Sequence, residues 1–172
     1  MNINLIDFIR KIKIKCMIKN CGKGIKVTGK VYIKSKNIHL GNDVQIQPGV
    51  MIFGNGKVEI GDNTVIGKDT IIFSNKNVKI GKNVLIAAQS YIIDSNHQIF
   101  ADKLINQQGL ESEVLIIGDD VWIGAGAKVI KGSRINEGAV IGAMSLVNNN
   151  VDSYSINIGI PTRKIGERKI VN

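Results

Sequence analysis

The string Asp94-Ser95-Asn96-His97 contains residue types suited to taking a proton from a substrate. Histidine is the commonest general base in enzymes, and a nearby carboxylate fixes its tautomer and raises its basicity. Asp94 stands three residues before His97. We therefore expect His97 to act as a general base with Asp94 as its partner, and Asn96 to contact the substrate.

The remaining reactive side chains favour direct transfer. No serine or cysteine stands in a recognisable nucleophile motif, so a base that activates the acceptor fits better than a covalent enzyme intermediate. The second histidine, His39, lies near lysines and is expected to be a solvated bystander. Cys16 and Cys21 have no histidine pair nearby, so we expect neither a metal site nor a disulfide framework.

A six-residue repeat surrounds the histidine string. Fifteen hexapeptides between Leu40 and Asp152 each open on Ile, Leu or Val, and in twelve of them the residue four places on is Ala, Ser, Thr or Val. The opening residues are Leu40, Ile46, Ile52, Ile60, Ile66, Ile72, Ile80, Ile86, Ile92, Ile117, Ile123, Val129, Ile135, Ile141 and Val147.

A period of six matches neither an α-helix nor a plain strand over long runs and is typical of a solenoid. The pattern predicts an all-β fold, a parallel β-helix with three hexapeptides in each triangular coil. The aliphatic residues are expected inside, and the small residues near the corners. Glycine directly follows seven of the aliphatic residues, where we expect it to supply backbone freedom.

The repeat predicts a single domain spanning 1–172. We expect a β-helix over 25–152, an N-terminal cap over 1–24 and a basic C-terminal tail over 153–172. Residues 98–114 lack the repeat and are expected to form a long inserted loop. Because such insertions often lie on the binding face of a solenoid, Gln107 and Gln108 are predicted to contact the substrate.

The net charge of +9 raises the question of nucleic-acid binding. The basic residues are rarely interleaved with aromatic ones, so no nucleic acid is expected, and an anionic cofactor or cell-surface intermediate fits better. Residues 1–20 have helix-like apolar spacing with lysines among them. This segment either covers the open end of the solenoid or rests peripherally on an anionic membrane surface. Without a signal peptide or a membrane-spanning run, we expect a cytoplasmic protein.

The span from about 25 to 169 resembles the hexapeptide-repeat acyltransferases, which fold as left-handed parallel β-helices. The strings IGKNVLIAAQSYIIDSNH, IGDDVWIGAGAKVIKG and GIPTRKI, with QQGL in the loop, are most similar to the branch of sugar O-acetyltransferases that act on lipopolysaccharide and capsule. The resemblance implies a homotrimer with its active site between adjacent prisms. It also implies acetyl-CoA as the acyl donor, a saccharide hydroxyl as the acceptor, and no metal.

The resemblance assigns further roles. His97 matches the base that deprotonates a sugar hydroxyl for attack on the thioester carbonyl of acetyl-CoA. The backbone N–H of Ala125, just after Trp122-Ile123-Gly124, matches the donor to the oxyanion. The residues implied to bind the cofactor are Trp122, Gly124, Ala125, Ala143, whose backbone contacts the pantetheine arm, and Arg163, which lies near the CoA phosphates.

Two alternatives stay open. An N-acetyltransferase acting on a nucleotide-linked amino sugar would use the same base, although such enzymes usually add a nucleotide-recognition domain, for which this chain is short. The other alternative is a non-catalytic or metal-binding trimeric β-helix. A three-histidine zinc site would then need copies of His39 or His97 from several chains.

Overall fold

The computed structural model describes Ile18, residues 20–35 and residues 37–170. These residues form a parallel β-solenoid of about seven triangular coils, which confirms the predicted all-β, left-handed parallel β-helix. Most of the predicted N-terminal cap, together with its alternative role at a membrane surface, lies outside the described residues.

Three parallel sheets form the sides of the prism, and we name them faces A, B and C. Face A contains β1 (Asn20–Cys21), β4 (Ile38–Leu40), β7 (Lys57–Ile60), β10 (Asn77–Ile80), β15 (Leu115–Ile117), β18 (Arg134–Ile135) and β21 (Asn150–Val151). Face B contains β2 (Lys26–Val27), β5 (Gln45–Ile46), β8 (Val65–Ile66), β11 (Leu85–Ile86), β16 (Trp122–Ile123), β19 (Val140–Ile141) and β22 (Ser155–Ile158). Face C contains β3 (Tyr32–Ile33), β6 (Met51–Phe53), β9 (Ile71–Phe73), β12 (Tyr91–Ile93), β17 (Lys128–Val129) and β20 (Leu146–Val147).

Two elements depart from this plan. Strands β13 (Ser95–His97) and β14 (Leu110–Ser112) pair antiparallel and project from the corner between faces C and A. Strand β23 (Arg163–Glu167) pairs antiparallel with β22 at the end of face B. Counting along the chain, coil 1 holds β1–β3, coil 2 β4–β6, coil 3 β7–β9 and coil 4 β10–β12; after the hairpin, coil 5 holds β15–β17 and coil 6 β18–β20.

The core consists of stacked aliphatic side chains. All fifteen aliphatic residues that open the hexapeptides are buried, and each aligns with its counterpart in the next coil, as Ile66 does with Ile46 and Ile86. Burying one such side chain contributes about 1.5–3 kcal/mol relative to leaving it exposed. The small residues four places on are buried in all twelve hexapeptides that carry them. The repeat therefore predicted the inside of the prism correctly.

The corner glycines have a different role from the predicted one. The left-handed backbone occurs three residues after the aliphatic, for example at Asn63 (φ 58°) and Gln89 (φ 62°), and at none of the seven glycines that directly follow it. A Cβ atom on Gly61 would lie 2.6 Å from the carbonyl group of Gly81 in the next coil. These glycines are therefore required by the close approach of stacked coils rather than by backbone freedom.

The solenoid extends beyond the expected bounds of 25–152. Strand β1 begins at Asn20, and Cys21 aligns with Leu40 in the first parallel pair of face A. At the other end, β22 lies within the predicted tail 153–172 and pairs in parallel with β19. Neither coil follows the regular repeat in the sequence. The six-residue spacing shifts by one residue near residue 36, and the buried position expected to be aliphatic in the last coil is occupied by Asn157.

Candidate active site

His97 lies on an ordered hairpin rather than in an irregular loop. In the antiparallel pair of β13 and β14, His97 is opposite Leu110 and Asn96 is opposite Glu111. The connection between the strands contains a short 3-10 turn, Ile105–Gln107. The insertion predicted at 98–114 therefore projects where expected, and its base is fixed by strand pairing on both sides of the histidine.

The expected pairing of Asp94 with His97 is not formed. The Asp94 carboxylate is fully buried and accepts hydrogen bonds from the Ser74 hydroxyl at 2.8 Å, the Asn75 N–H at 2.8 Å and the Lys76 N–H at 2.9 Å. Among the residues that the structure describes, no group donates to or accepts from the His97 imidazole. Asp94 points into the prism because the corner of coil 3 below it has N–H groups that need acceptors.

The His97 side chain is exposed at the rim of a cleft of about 410 Å³. The polar part of this cleft is formed by Ser95, Asn96 and His97. The remaining lining is apolar, with the rings of Phe53 and Phe73 packed 4.8 Å apart between centroids. The full lining is Phe53, Phe73, Tyr91, Ile93, Ser95, Asn96, His97 and Leu110.

The apolar wall was missed in the sequence. Phe53, Phe73 and Ile93 each directly follow the aliphatic residue of face C and align with one another in successive coils. A residue in that position points away from the core because successive side chains of a strand alternate between faces. Recurring apolar residues there, next to the histidine string, were the available signal.

The predicted substrate contacts divide into two groups. Asn96 lines the cleft beside His97, as expected for a substrate contact. Gln107 and Gln108 do not; they line a separate cleft of about 420 Å³ at the tip of the hairpin. The amide of Gln108 is already used within the hairpin, because it accepts from the Phe100 N–H at 2.8 Å and donates to the carbonyl groups of Phe100 and Lys103. Gln108 therefore shapes the hairpin tip.

The residues implied to bind the acyl donor lie at another corner. Trp122, in β16, is 52% exposed, and the corner that follows contains Gly124 and Ala125. Ala143 occupies the same corner one coil further on, where the neighbouring Met144 N–H donates to the Ala125 carbonyl at 2.8 Å. A Cβ on Gly124 would lie 2.5 Å from the Ala143 nitrogen, so glycine permits this stacking.

The N–H groups of Ala125 and Ala143 are free within the described part of the chain. Both residues are exposed, and neither backbone N–H donates to another described group. Two such donors on stacked coils form a short ladder that could hold a carbonyl or amide oxygen of a ligand. This corner can therefore supply the backbone N–H donors that the resemblance implies at Ala125 and Ala143.

The cations of the C-terminal tail differ in whether a carboxylate already pairs with them. Lys164 pairs with Glu167 at 2.7 Å, and this hydrogen bond raises the pKa of the lysine. Arg168 donates to the Asp120 carboxylate at 2.6 Å and to the Gly138 carbonyl at 3.1 Å. The exposed Arg163 donates only to the neighbouring Thr162 carbonyl, at 3.0 Å, among the described residues. Of these three cations, Arg163 is therefore the one best able to meet an anionic ligand.

Within one chain, the two halves of the candidate site are far apart. The hairpin with His97 leaves face C at its corner with face A, whereas Ala125 lies at the corner between faces B and C. Ala88 lies below the Ala125 corner, with its carbonyl bonded to the Gly126 N–H, and the five residues 89–93, including β12, separate it from Asp94. At about 3.3 Å per residue of extended chain, these corners are at most roughly 20 Å apart.

The other histidine is not a solvated bystander. His39 on face A is half-buried; its ring nitrogens contact the Asn20 amide at 3.0 Å and the Asn37 amide at 3.2 Å. In the described ranges, no group of three or more His, Cys, Asp or Glu side chains is arranged to hold a metal ion. Among those same residues, none forms a helix long and apolar enough to cross a membrane.

Known families match two parts of the solenoid. The model described as "Bacterial transferase hexapeptide (six repeats)" matches residues 115–149, and the one described as "Hexapeptide repeat of succinyl-transferase" matches residues 57–93. Together these segments include coils on both sides of the hairpin. The hexapeptide pattern is therefore recognised independently in both halves.

Individual relatives match along nearly the whole chain. A dTDP-4-amino-4,6-dideoxy-D-glucose acyltransferase from Escherichia coli is 29% identical over 170 residues, which cover 94% of this chain and 88% of the relative. A crystal structure of a variant of AntD, an N-acyltransferase from Bacillus cereus, in complex with dTDP-4-amino-4,6-dideoxyglucose and coenzyme A, superimposes with a TM-score of 0.80 at 26% identity, covering 94% of this chain and 90% of that one. A maltose O-acetyltransferase from Clostridium difficile 630 gives a TM-score of 0.69 at 26% identity, covering 94% and 75%.

These relatives include enzymes that acylate an amine and enzymes that acylate a hydroxyl, on one common fold. The repeat, the stacked coils and the family matches agree with one another across both halves of the chain. The chain belongs to the hexapeptide-repeat acyltransferase superfamily.

Proposed function

We propose that this chain is an acetyl-CoA-dependent O-acetyltransferase that modifies a hydroxyl of a saccharide in a cell-surface polysaccharide or lipopolysaccharide precursor. The observation that carries the proposal is the exposed imidazole of His97 at the rim of the cleft on face C. We place the reaction in the cytoplasm, where acyl-CoA donors are made.

The composition of the cleft supports a saccharide acceptor. Sugar rings have apolar C–H faces and polar edges, and the cleft offers aromatic side chains beside Ser95 and Asn96. A volume of about 410 Å³ lies in the range of small-molecule sites. In this arrangement the ring packs against Phe73 and one hydroxyl faces His97.

The chemistry is a direct acyl transfer. The His97 imidazole takes the proton of the acceptor hydroxyl as its oxygen forms a bond to the thioester carbonyl carbon. The negative charge that develops on the carbonyl oxygen is stabilised by the Ala125 N–H. The C–S bond then breaks, the CoA thiolate takes the proton from the imidazolium, and the acetyl ester is released.

The donor is expected along the corner of Trp122, Ala125 and Ala143. The free N–H groups of Ala125 and Ala143 support contacts with the thioester and the pantetheine arm. Arg163 supports a contact with the CoA phosphates, because it lacks a carboxylate partner among the described residues.

We further propose that the active enzyme is a homotrimer. His97 and the Ala125 corner lie at opposite edges of face C, whereas reacting atoms must come within about 3–3.5 Å of each other, so direct transfer within one chain is excluded. A second copy would bring its Ala125 corner beside His97 of the first. Light scattering at micromolar concentration should give three times the chain mass, and a monomer would contradict the shared site.

A second candidate is N-acylation of a nucleotide-linked amino sugar. It is favoured by the Escherichia coli relative, 88% of which is covered by this chain, so the short chain is no argument against such an acceptor. A neutral amine is a stronger nucleophile than a hydroxyl and needs less help from a base. Both reactions would use His97 as the base, so the proposal of a hydroxyl acceptor rests on the resemblance to sugar O-acetyltransferases and is tested by the products.

The deciding experiment offers both acceptor classes to the purified protein with acetyl-CoA. Saccharide precursors with free hydroxyls and dTDP-4-amino-4,6-dideoxyglucose are incubated separately, and products are identified by mass. Mild alkali removes an ester but leaves an amide intact. An alkali-labile product supports O-acetylation, an alkali-stable product on the amino sugar supports the alternative, and no product with either acceptor contradicts both.

A further inference from the structure

The base of the hairpin is held by a lysine of the following coil. Lys131 lies in the turn between β17 and β18, at the same prism corner from which the hairpin projects one coil earlier. Its ammonium contacts the Glu111 carboxylate at 2.9 Å and the Glu113 carboxylate at 3.1 Å. The Lys131 side chain is only 14% exposed, whereas those of the two glutamates are more than half exposed.

The neighbouring Gly132 leaves open the space that the Glu113 carboxylate occupies. Gly132 has a φ of 76°, and a Cβ at this position would lie 2.5 Å from Oε2 of Glu113. Any larger residue would displace the carboxylate that Lys131 holds. The hydrogen bonds that the Lys131 ammonium donates to Glu111, and then to Glu113, also raise the pKa of the lysine above its ordinary value.

The contact reaches His97 through strand pairing. Glu111 is opposite Asn96, and the adjacent pair is His97 with Leu110. On the other side, the Asp94 carboxylate fixes the start of the hairpin to coil 3, and the Asp94 carbonyl accepts from the Glu113 N–H at 2.9 Å. The hairpin is therefore held to the coil below through Asp94 and to the coil above through Lys131.

We propose that Lys131 is a positioning residue for His97, which through Glu111 and Glu113 sets the direction in which the hairpin presents the imidazole to the cleft. This inference rests on the proposed function, since it gives His97 a catalytic task. A displacement of about 1 Å in a catalytic group can lower the rate by about 10²-fold.

The test compares Lys131→Met with Lys131→Arg, which keeps the cation. Lys82→Met is the matched control, because Lys82 is also a corner lysine with a carboxylate partner, Asp62 at 3.6 Å, but lies away from the hairpin. Two readouts are needed: hydrogen exchange of the hairpin amides, including Gln98 N–H, which donates to the Gly109 carbonyl, and steady-state kinetics with acetyl-CoA.

We expect Lys131→Met to speed exchange in the hairpin alone and to lower kcat by about 10-fold to 10²-fold. The KM for acetyl-CoA should not change, and Lys131→Arg and Lys82→Met should behave like the native protein. Unchanged exchange or unchanged kcat in Lys131→Met would overturn the proposal. If Lys131→Met does not fold, the double variant Glu111→Gln/Glu113→Gln removes the same contact from the hairpin side, and a loosened hairpin with native kcat would overturn the proposal equally.

Different results would overturn the catalytic role of His97 and the positioning role of Lys131. A fully active His97→Ala enzyme would overturn the proposed function, and with it the catalytic consequence of the contact. Native exchange rates in Lys131→Met would overturn the positioning role while leaving His97 as the base.

Discussion

The hydroxyl of Ser74 lies 2.8 Å from the buried carboxylate of Asp94, one coil above it. This contact closes the corner at which the regular stacking of faces C and A is interrupted by the hairpin. The carboxylate therefore anchors the start of the hairpin, and it is joined to the proposed base, His97, only through the backbone.

Replacing Asp94 should affect stability more than chemistry. In Asp94→Asn, one amide N–H would face the N–H of Asn75 or Lys76, so a buried hydrogen bond is replaced by repulsion. We expect a loss of about 1–3 kcal/mol in the free energy of unfolding. Urea unfolding measures it. Asp69→Asn, at an exposed corner, is the control and should be near neutral.

The His97→Ala variant tests the base. We expect kcat to fall by about 10²–10⁴, the usual contribution of a positioned base. The affinity for acetyl-CoA and the oligomeric state should not change, because the donor is expected to be held by the backbone of the Ala125 and Ala143 corner and by Arg163. Steady-state kinetics, calorimetry with CoA and light scattering separate these effects. Activity equal to the native enzyme would rule out the mechanism.

The oxyanion donor can be removed without disturbing the corner. Pro48 occupies, two residues after Ile46, the position that Ala125 occupies after Ile123, and each is followed by a glycine with positive φ. Ala125→Pro should therefore fold normally while deleting the N–H. We expect kcat to fall by about 10²–10³ with an unchanged Tm. Ala88→Pro changes the equivalent position one coil earlier and should remain active; equal losses in both would argue against a specific donor.

The aromatic wall should govern acceptor binding. Phe73→Ser removes a ring from the middle of the cleft, so the KM for the acceptor should rise about tenfold while the KM for acetyl-CoA stays constant. Tyr32→Ser is the control, because Tyr32 is exposed on face C but lies outside the cleft. A rise in both KM values, or dissociation of the oligomer, would show that Phe73 supports assembly instead.

Arg163 and Arg168 are expected to have different roles, the first in binding CoA and the second in stabilising the fold. Arg163→Ala should weaken CoA binding by about tenfold at low salt, and the difference should shrink as salt screens the phosphate charge. Arg168→Ala should instead lower Tm, since Arg168 joins β23 to Asp120 and to the Gly138 carbonyl. Calorimetry in low and high salt tests the first expectation; native CoA affinity in Arg163→Ala would refute the assignment.

The sequence predicted the prism because its repeat encodes burial directly. Each aliphatic residue of the repeat is inside, as an alternating strand with one buried face requires. It also located the hairpin, since residues 98–114 interrupt the repeat. It did not predict the partner of Asp94, because three residues of separation in sequence say nothing about which coil a carboxylate points toward.

The other wrong or missing predictions have the same cause, because a repeat in the sequence does not show where side chains point at the corners. Gln108 is polar and lies in the insertion, but its hydrogen bonds to Phe100 and Lys103 depend on the turn geometry of the hairpin tip. The contact of Lys131 with Glu111 joins residues of different coils, which a one-dimensional pattern does not bring together. Side-chain direction across the corners was thus the information that the repeat lacked.

Strand β23 affects how the C-terminal end of the solenoid can associate with other chains. A stack of parallel strands ends in unpaired N–H and C=O groups that can recruit another chain, which is a common origin of fibres. Here β23 reverses direction and pairs with β22, while the Leu146 N–H donates to the Gly159 carbonyl at the end of face C. The reversed strand also carries charges, including Lys164 and Glu167. The C-terminal segment therefore blunts this end of the prism with a reversed, charged strand, a device by which natural sheets avoid edge-to-edge association.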